Sequence, residues 1–285
     1  MSALGQLPAS LWRLGDDFQS LHEVTRVTKN SGGKRPPLLF IHGIEYAGAA
    51  EAMRDFVTPM LETLNKRRLE NRDIYVFAWN SLLRSDTHIW EFAKQSWNAK
   101  FRLLFRELPQ CATYLRDIEH RARLAAAILL PFALEWNSER ESGPTVITHS
   151  MGSLVWAETL RLLADKTTRL DRPGIWWSLQ PALPRDALHQ NNDYAFIPRI
   201  YTGGEAAKAM IWYSRLDHIL STIYLVSKKT TALGQLGCAR NLLPQRDITR
   251  WAREAHGTLH FSPGLGHFFK RMSAIIAQES EALNL

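Results

Sequence analysis

The sequence predicts an α/β fold, a single domain whose mainly parallel sheet is flanked by helices. Three observations lead there. Short apolar runs bounded by turn residues recur along the chain, and segments with helical spacing lie between them. No internal repeat, low-complexity tract or composition break marks a linker in the 285 residues.

Residues 1–35 read as a variable lead-in that ends in the basic, flexible Asn30-Ser31-Gly32-Gly33-Lys34-Arg35, so the domain proper is expected over 36–285. Leu38 to Ile41, between Pro36-Pro37 and His42-Gly43, suits a strand buried on both faces of a parallel sheet. From Ala49 to Arg68 the residues Met53, Phe56, Val57, Met60, Leu61 and Leu64 fall on one helical face. Ile74 to Trp79 is the next strand. A mainly helical block follows over about 89–135, and Thr145 to Thr148 is a third strand with a helix from Leu154 to Ala164 behind it. Ile175 to Leu179 and Ala209 to Tyr213 read as further strands. A last strand is expected at Thr258 to Phe261, and a closing helix from His267 to about Ala277.

Composition narrows the function classes. With 45% apolar and 22% charged residues, wholesale disorder and coiled coil are excluded. Two cysteines, Cys111 and Cys238, do not make a disulfide scaffold and suit a reducing compartment. No basic run followed by an apolar core opens the chain, and the longest apolar stretch, Leu124 to Leu134, is far short of the ~20 residues a membrane span needs. A cytoplasmic location is the expectation. The net charge of +7 invites an anionic partner, but Lys66-Arg67-Arg68, Arg121, Arg123, Lys228-Lys229 and Lys270-Arg271 are scattered and no nucleic-acid motif accompanies them. Nucleic acid is therefore not expected; peripheral contact with an anionic membrane surface is the partner hypothesis the charge supports. No Cys/His or Asp/Glu cluster has metal-ligand spacing and no glycine-rich phosphate loop occurs, so no metal and no cofactor is expected.

The chemistry gathers at strand ends. Thr148-His149-Ser150-Met151-Gly152 follows one strand and opens a helix, the context of a nucleophile elbow. The tight turn strains the serine backbone, small flanking residues avoid clashes, and the helix N-terminus brings positive potential to the place where negative charge develops. Gly152 fills one small position, and Thr148 stands where a first glycine is usual. Upstream, Leu38 to Ile41 runs into His42-Gly43-Ile44. An acyl-transfer site needs two backbone N–H donors for the oxyanion, each worth roughly 3 kcal/mol. Met151, after the serine, and Ile44, after the flexible Gly43, are the candidates.

On Phe40-Ile41-His42-Gly43-Ile44 and Ile147-Thr148-His149-Ser150-Met151-Gly152 the chain resembles the α/β-hydrolase superfamily, its lipase/esterase-like branch in particular. Val76-Phe77-Ala78-Trp79-Asn80-Ser81 adds a weaker similarity to uncharacterised bacterial α/β hydrolases, which usually carry Trp-Pro-Ser there. The resemblance covers roughly residues 38–272 and implies a serine hydrolase whose nucleophile, acid and histidine follow one another along the chain. Ser150 would be the nucleophile. Asp217, in Tyr213-Ser214-Arg215-Leu216-Asp217 after a late strand, would be the acid, ahead of Asp186 and Asp193. His267, in the glycine-bounded Gly264-Leu265-Gly266-His267, would be the base, ahead of His256 and His260. His42 and His149 would support the site, His42 by fixing the oxyanion loop.

The implied activity is cleavage of a carboxylic ester, with a small-molecule or lipid ester as substrate. An amidase or peptidase would use the same three residues, and a non-catalytic binding module could use the same fold. Residues 89–135 lie where the superfamily often inserts a helical lid or cap. Trp90, Phe92, Trp97, Phe101, Leu104 and Phe105 would line an acyl pocket there, or else be ordinary helix-core residues.

Overall fold

The computed structural model describes residues 9–17, 19–25, 35–44, 46, 48–64, 69, 72–81, 97–139, 143–166, 174–202, 208–252, 256 and 265–283, with backbone alone at 97–111, 138–139, 265–271 and 282. Its strands are β1 (Ala9–Leu14), β2 (Leu21–Val24), β3 (Leu38–Ile41), β4 (Ile74–Trp79), β5 (Thr145–His149), β6 (Ile175–Leu179), β7 (Lys208–Tyr213) and β8 (Gln245–Asp247). They form one eight-stranded sheet in the order β2-β1-β4-β3-β5-β6-β7-β8. From β4 to β8 every pair is parallel, while β1 runs antiparallel to both β4 and β2. This is the α/β architecture, with helices on both faces as a parallel sheet requires.

The N-terminal expectation needs correcting. Residues 9–24 are not a lead-in outside the domain but a hairpin on the edge of its sheet. The cause lies in the side chains of β1: Ala9, Leu11 and Leu14 are buried, and Leu11 sits opposite Phe77 of β4. Asp17 sets the turn, its Oδ1 accepting hydrogen bonds from the Gln19 and Ser20 amides at 2.9 Å each.

The helices are α1 (Ala49–Ala52), running through a π turn at Met53–Val57 into α2 (Thr58–Thr63); α3 (Trp97–Glu139); α4 (Gly152–Lys166); α5 (Ile197–Thr202); and, after a π turn at Leu220–Tyr224, α6 (Leu225–Lys228). Then come α7 (Leu233–Leu236), α8 (Thr249–Ala252) and α9 (Leu265–Ala282). Alternate residues of each central strand feed opposite layers. Leu39, Ile41, Val146 and Trp176 pack with α3 and α4, whereas Leu38, Phe40, Ile147 and Trp177 pack with α1, α2 and α9.

The block expected to be a lid or an ordinary core segment proves, from residue 112 onward, to be core. Leu115, Ile118, Ala122, Ala125, Ala126, Leu129 and Trp136 recur at three- and four-residue spacing on one face of α3 and are buried. Trp90 and Phe92 lie outside the described residues, as do the side chains of Trp97, Phe101, Leu104 and Phe105. The strand expected at 258–261 also falls outside them. Among the described residues, no helix is long and apolar enough to cross a membrane.

Candidate active site

Four segments meet at the C-terminal ends of β3, β5, β6 and β7, where open α/β sheets offer a crevice. The turn from β5 into α4 carries Ser150, whose φ is +51°, a left-handed conformation that side chains other than glycine rarely adopt. Its neighbours hold it there. The Ser150 amide donates to the Leu179 carbonyl at 2.9 Å, and its own carbonyl accepts from Ser153 and Ala182, both at 3.1 Å. Every strained bond rotation is thus balanced by a satisfied backbone group.

The turn is tight because α4 begins against the end of β3. A Cβ on Gly152 would lie 2.4 Å from the Ile41 carbonyl oxygen and 2.5 Å from that of His42, so no side chain fits. Thr148 stands at the position before His149 with its side chain turned into a cluster of hydroxyls. Thr148 Oγ1 lies 2.9 Å from Ser153 Oγ and accepts from Trp176 Nε1 at 3.0 Å; Ser153 Oγ is 2.8 Å from Ser178 Oγ.

The loop after β3 passes directly over the serine. A Cβ on Gly43 would stand 2.9 Å from Ser150 Cβ and 2.9 Å from His149 Nδ1. His42, fully buried, clips this loop: its Nδ1–H donates to the Gly43 carbonyl at 2.9 Å, and its Nε2 accepts from the Trp79 amide at 3.1 Å. The Trp79 indole stacks on the His42 ring and donates to the His42 carbonyl at 3.0 Å. Two residues on, the Ser81 hydroxyl accepts from the Tyr46 amide at 3.0 Å and donates to the Tyr46 carbonyl at 3.2 Å. The Trp79–Ser81 segment is therefore a clamp on His42 and Tyr46. Burial holds the His42 imidazole down to about 4, so the ring stays neutral, as its two hydrogen bonds require.

Asp217 follows β7 and is completely buried. Its Oδ1 accepts from the Leu220 amide at 2.9 Å, capping the helical turn that starts there. Its Oδ2 accepts from Gln180 Nε2 at 2.8 Å and from His256 Nδ1–H at 2.5 Å. The far side of that imidazole, Nε2, accepts from the Ser150 hydroxyl at 2.7 Å. Ser150, His256 and Asp217 thus form one continuous hydrogen-bonded chain. In such a chain the imidazole can take the hydroxyl proton while the carboxylate fixes its tautomer and stabilises its cation.

The histidine between Ser150 and Asp217 is His256, where His267 was expected. Only one ring fits between those two oxygens. His267 lies inside α9, which begins at Leu265, and not in a loop ahead of the helix. Asp186 and Asp193 belong to the turns between β6 and α5, and neither is the carboxylate that His256 meets. Ile44 and Met151 are both buried, one following Gly43 and the other following Ser150.

His149 is also buried. Its ring centroid is 5.0 Å from that of His256 and 6.0 Å from that of Phe56. Burial above all, with the neighbouring His256 and His42, holds its imidazole well below the ordinary histidine range. Among the described residues, no three His, Cys, Asp or Glu side chains gather as a metal site.

Sequence reasoning missed Gln180, Trp79 and Ser81 as parts of this construction, and it placed His256, with His260, behind His267. Gln180 carried no motif, although its place immediately after a strand, like that of Ser150, was a usable signal. No protein-family model matches the chain, and no curated protein is similar to it.

Proposed function

We propose that the chain is a serine hydrolase of the α/β-hydrolase fold that cleaves a carboxylic ester. One observation carries this: the unbroken chain from Ser150 Oγ through His256 to Asp217, at 2.7 and 2.5 Å, on a serine held at φ +51°. Ser150 attacks the acyl carbonyl as His256 takes its proton, with Asp217 orienting the ring. The Ile44 and Met151 amides receive the oxyanion. His256 then returns the proton to the leaving alcohol, and water, activated by the same ring, releases the acyl group from Ser150.

Tyr46 packs on the His42 ring and Phe56 on that of His149, so the histidines beside the serine are backed by aromatic side chains. A lipid or phospholipid acyl ester is the proposed substrate class.

The test is a panel of acyl esters, phospholipids and amides on the wild type and on Ser150→Ala, together with labelling by a fluorophosphonate. Turnover of at least one ester should fall roughly 10⁴-fold or more in the folded variant, and label should attach at Ser150. Turnover confined to amides would move the substrate class. A wild type inert to both ester and fluorophosphonate would sink the enzymatic role.

A further inference from the structure

The segment Leu179–Ala182 touches both the serine and the acid. Leu179 receives the Ser150 amide and Ala182 donates to the Ser150 carbonyl. Between them stands Gln180, completely buried, with φ +46° and its amide donating to the Trp212 carbonyl at 2.9 Å. The backbone of α7 presses on it so closely that a Cβ on Gly234 would lie 2.3 Å from the Gln180 carbonyl carbon. A side chain so anchored has little rotational freedom left. Its Nε2 is spent on the same Asp217 oxygen that receives His256, while Leu220 holds the other oxygen.

We infer that Gln180 is the positioning residue of the acid: its side-chain amide fixes the rotation of the Asp217 carboxylate, and its backbone ties that carboxylate to the turn that bears Ser150. Without it, Asp217 keeps one fixed oxygen and can rotate about that contact, so His256 loses a defined partner. Hydrogen bonds to a buried charged group are among the stronger ones, because the alternative is an ion short of donors. The role rests on the hydrolase reading, so one of its readouts is independent of turnover.

The experiment compares wild type, Gln180→Met and Gln180→Glu. Methionine keeps the length of the side chain and removes the donor; glutamate keeps the shape and turns the donor into an acceptor. Each variant is checked for folding by its thermal transition. The expected result is a kcat about 10-fold lower in Gln180→Met, with KM within about twofold, and a larger loss in Gln180→Glu. In the resting protein, the low-field proton resonance of His256 Nδ1–H should shift or broaden away in both. A Gln180→Met protein with wild-type kcat and an unchanged resonance overturns the role, since packing alone would then suffice. If Gln180→Met does not fold, Gln180→Glu decides by the same two readouts. If the wild type turns over no ester and takes no fluorophosphonate, the hydrolase reading fails; the resonance then decides the Gln180 role by itself, its loss supporting it and its persistence overturning it.

Discussion

Ser150 and its histidine partner can be tested by single substitutions. His256→Ala should lower ester turnover as severely as Ser150→Ala, whereas His267→Ala should leave kcat within a few-fold of wild type, measured by steady-state kinetics on the same substrate. Equal loss in both histidine variants would remove the assignment made from the 2.7 Å contact. His42 makes a different prediction, about stability. Its folded value near 4 lies below the ordinary 6.5, so between those limits the unfolded chain binds a proton that the folded ring refuses. Its contribution is complete above pH 6.5 and is lost as pH falls toward 4, amounting to about 3 kcal/mol for a shift of this size. His149 acts with the same sign. Urea midpoints should therefore drop on acidification from pH 7 to pH 4, and the drop should be shallower in His42→Asn.

At the level of the elements, the contact between α4 and β3 decides whether the loop at 42–44 and Ser150 share a site. Gly152→Ala would drive a methyl group into two carbonyl oxygens, both backbone and unable to move aside cheaply. The expected cost is about 1–3 kcal/mol or more, read from denaturant midpoints, with a loss of turnover beyond what stability explains. These same elements show what was legible in the sequence. β3, β4 and β6 stand where their apolar runs ended, because a strand buried on both faces announces itself by composition alone. Ser150 and Gly152 were legible because the strand–turn–helix motif is local. The edges were not: β8 is Gln245-Arg246-Asp247, short, polar and half-buried, and it is a strand only because β7 offers it hydrogen bonds. The histidine that meets Ser150 was not legible either. His256, His260 and His267 all satisfy the chain order after Asp217, and bracketing glycines pointed to His267. Only the three-dimensional return of residue 256 to residue 150 decides the matter.

On the scale of the whole molecule, several of the basic side chains are held in ion pairs. Arg123 and Arg161 meet Glu158, Lys228 meets Glu119, Arg246 meets Glu279 and Arg215 meets Asp247. Arg123–Glu158 and Lys228–Glu119 join helix to helix, and Arg246–Glu279 joins β8 to α9, so these cations serve the packing of the fold. The sheet order has a further consequence, in time. β3 pairs with β5 from Leu38↔Thr145 onward, across roughly a hundred residues of intervening chain, and His256 joins from as far again. Contacts this distant along the chain form slowly, since loop-closure entropy must be overcome before they stabilise anything. A growing polypeptide would carry Ser150 through roughly a hundred further residues of synthesis before His256, the imidazole its hydroxyl meets, has been added. In refolding from urea, fluorophosphonate labelling should accordingly lag the recovery of helical signal and coincide with the return of fixed aromatic packing. Labelling that kept pace with helix formation would mean that the site assembles from local pieces after all.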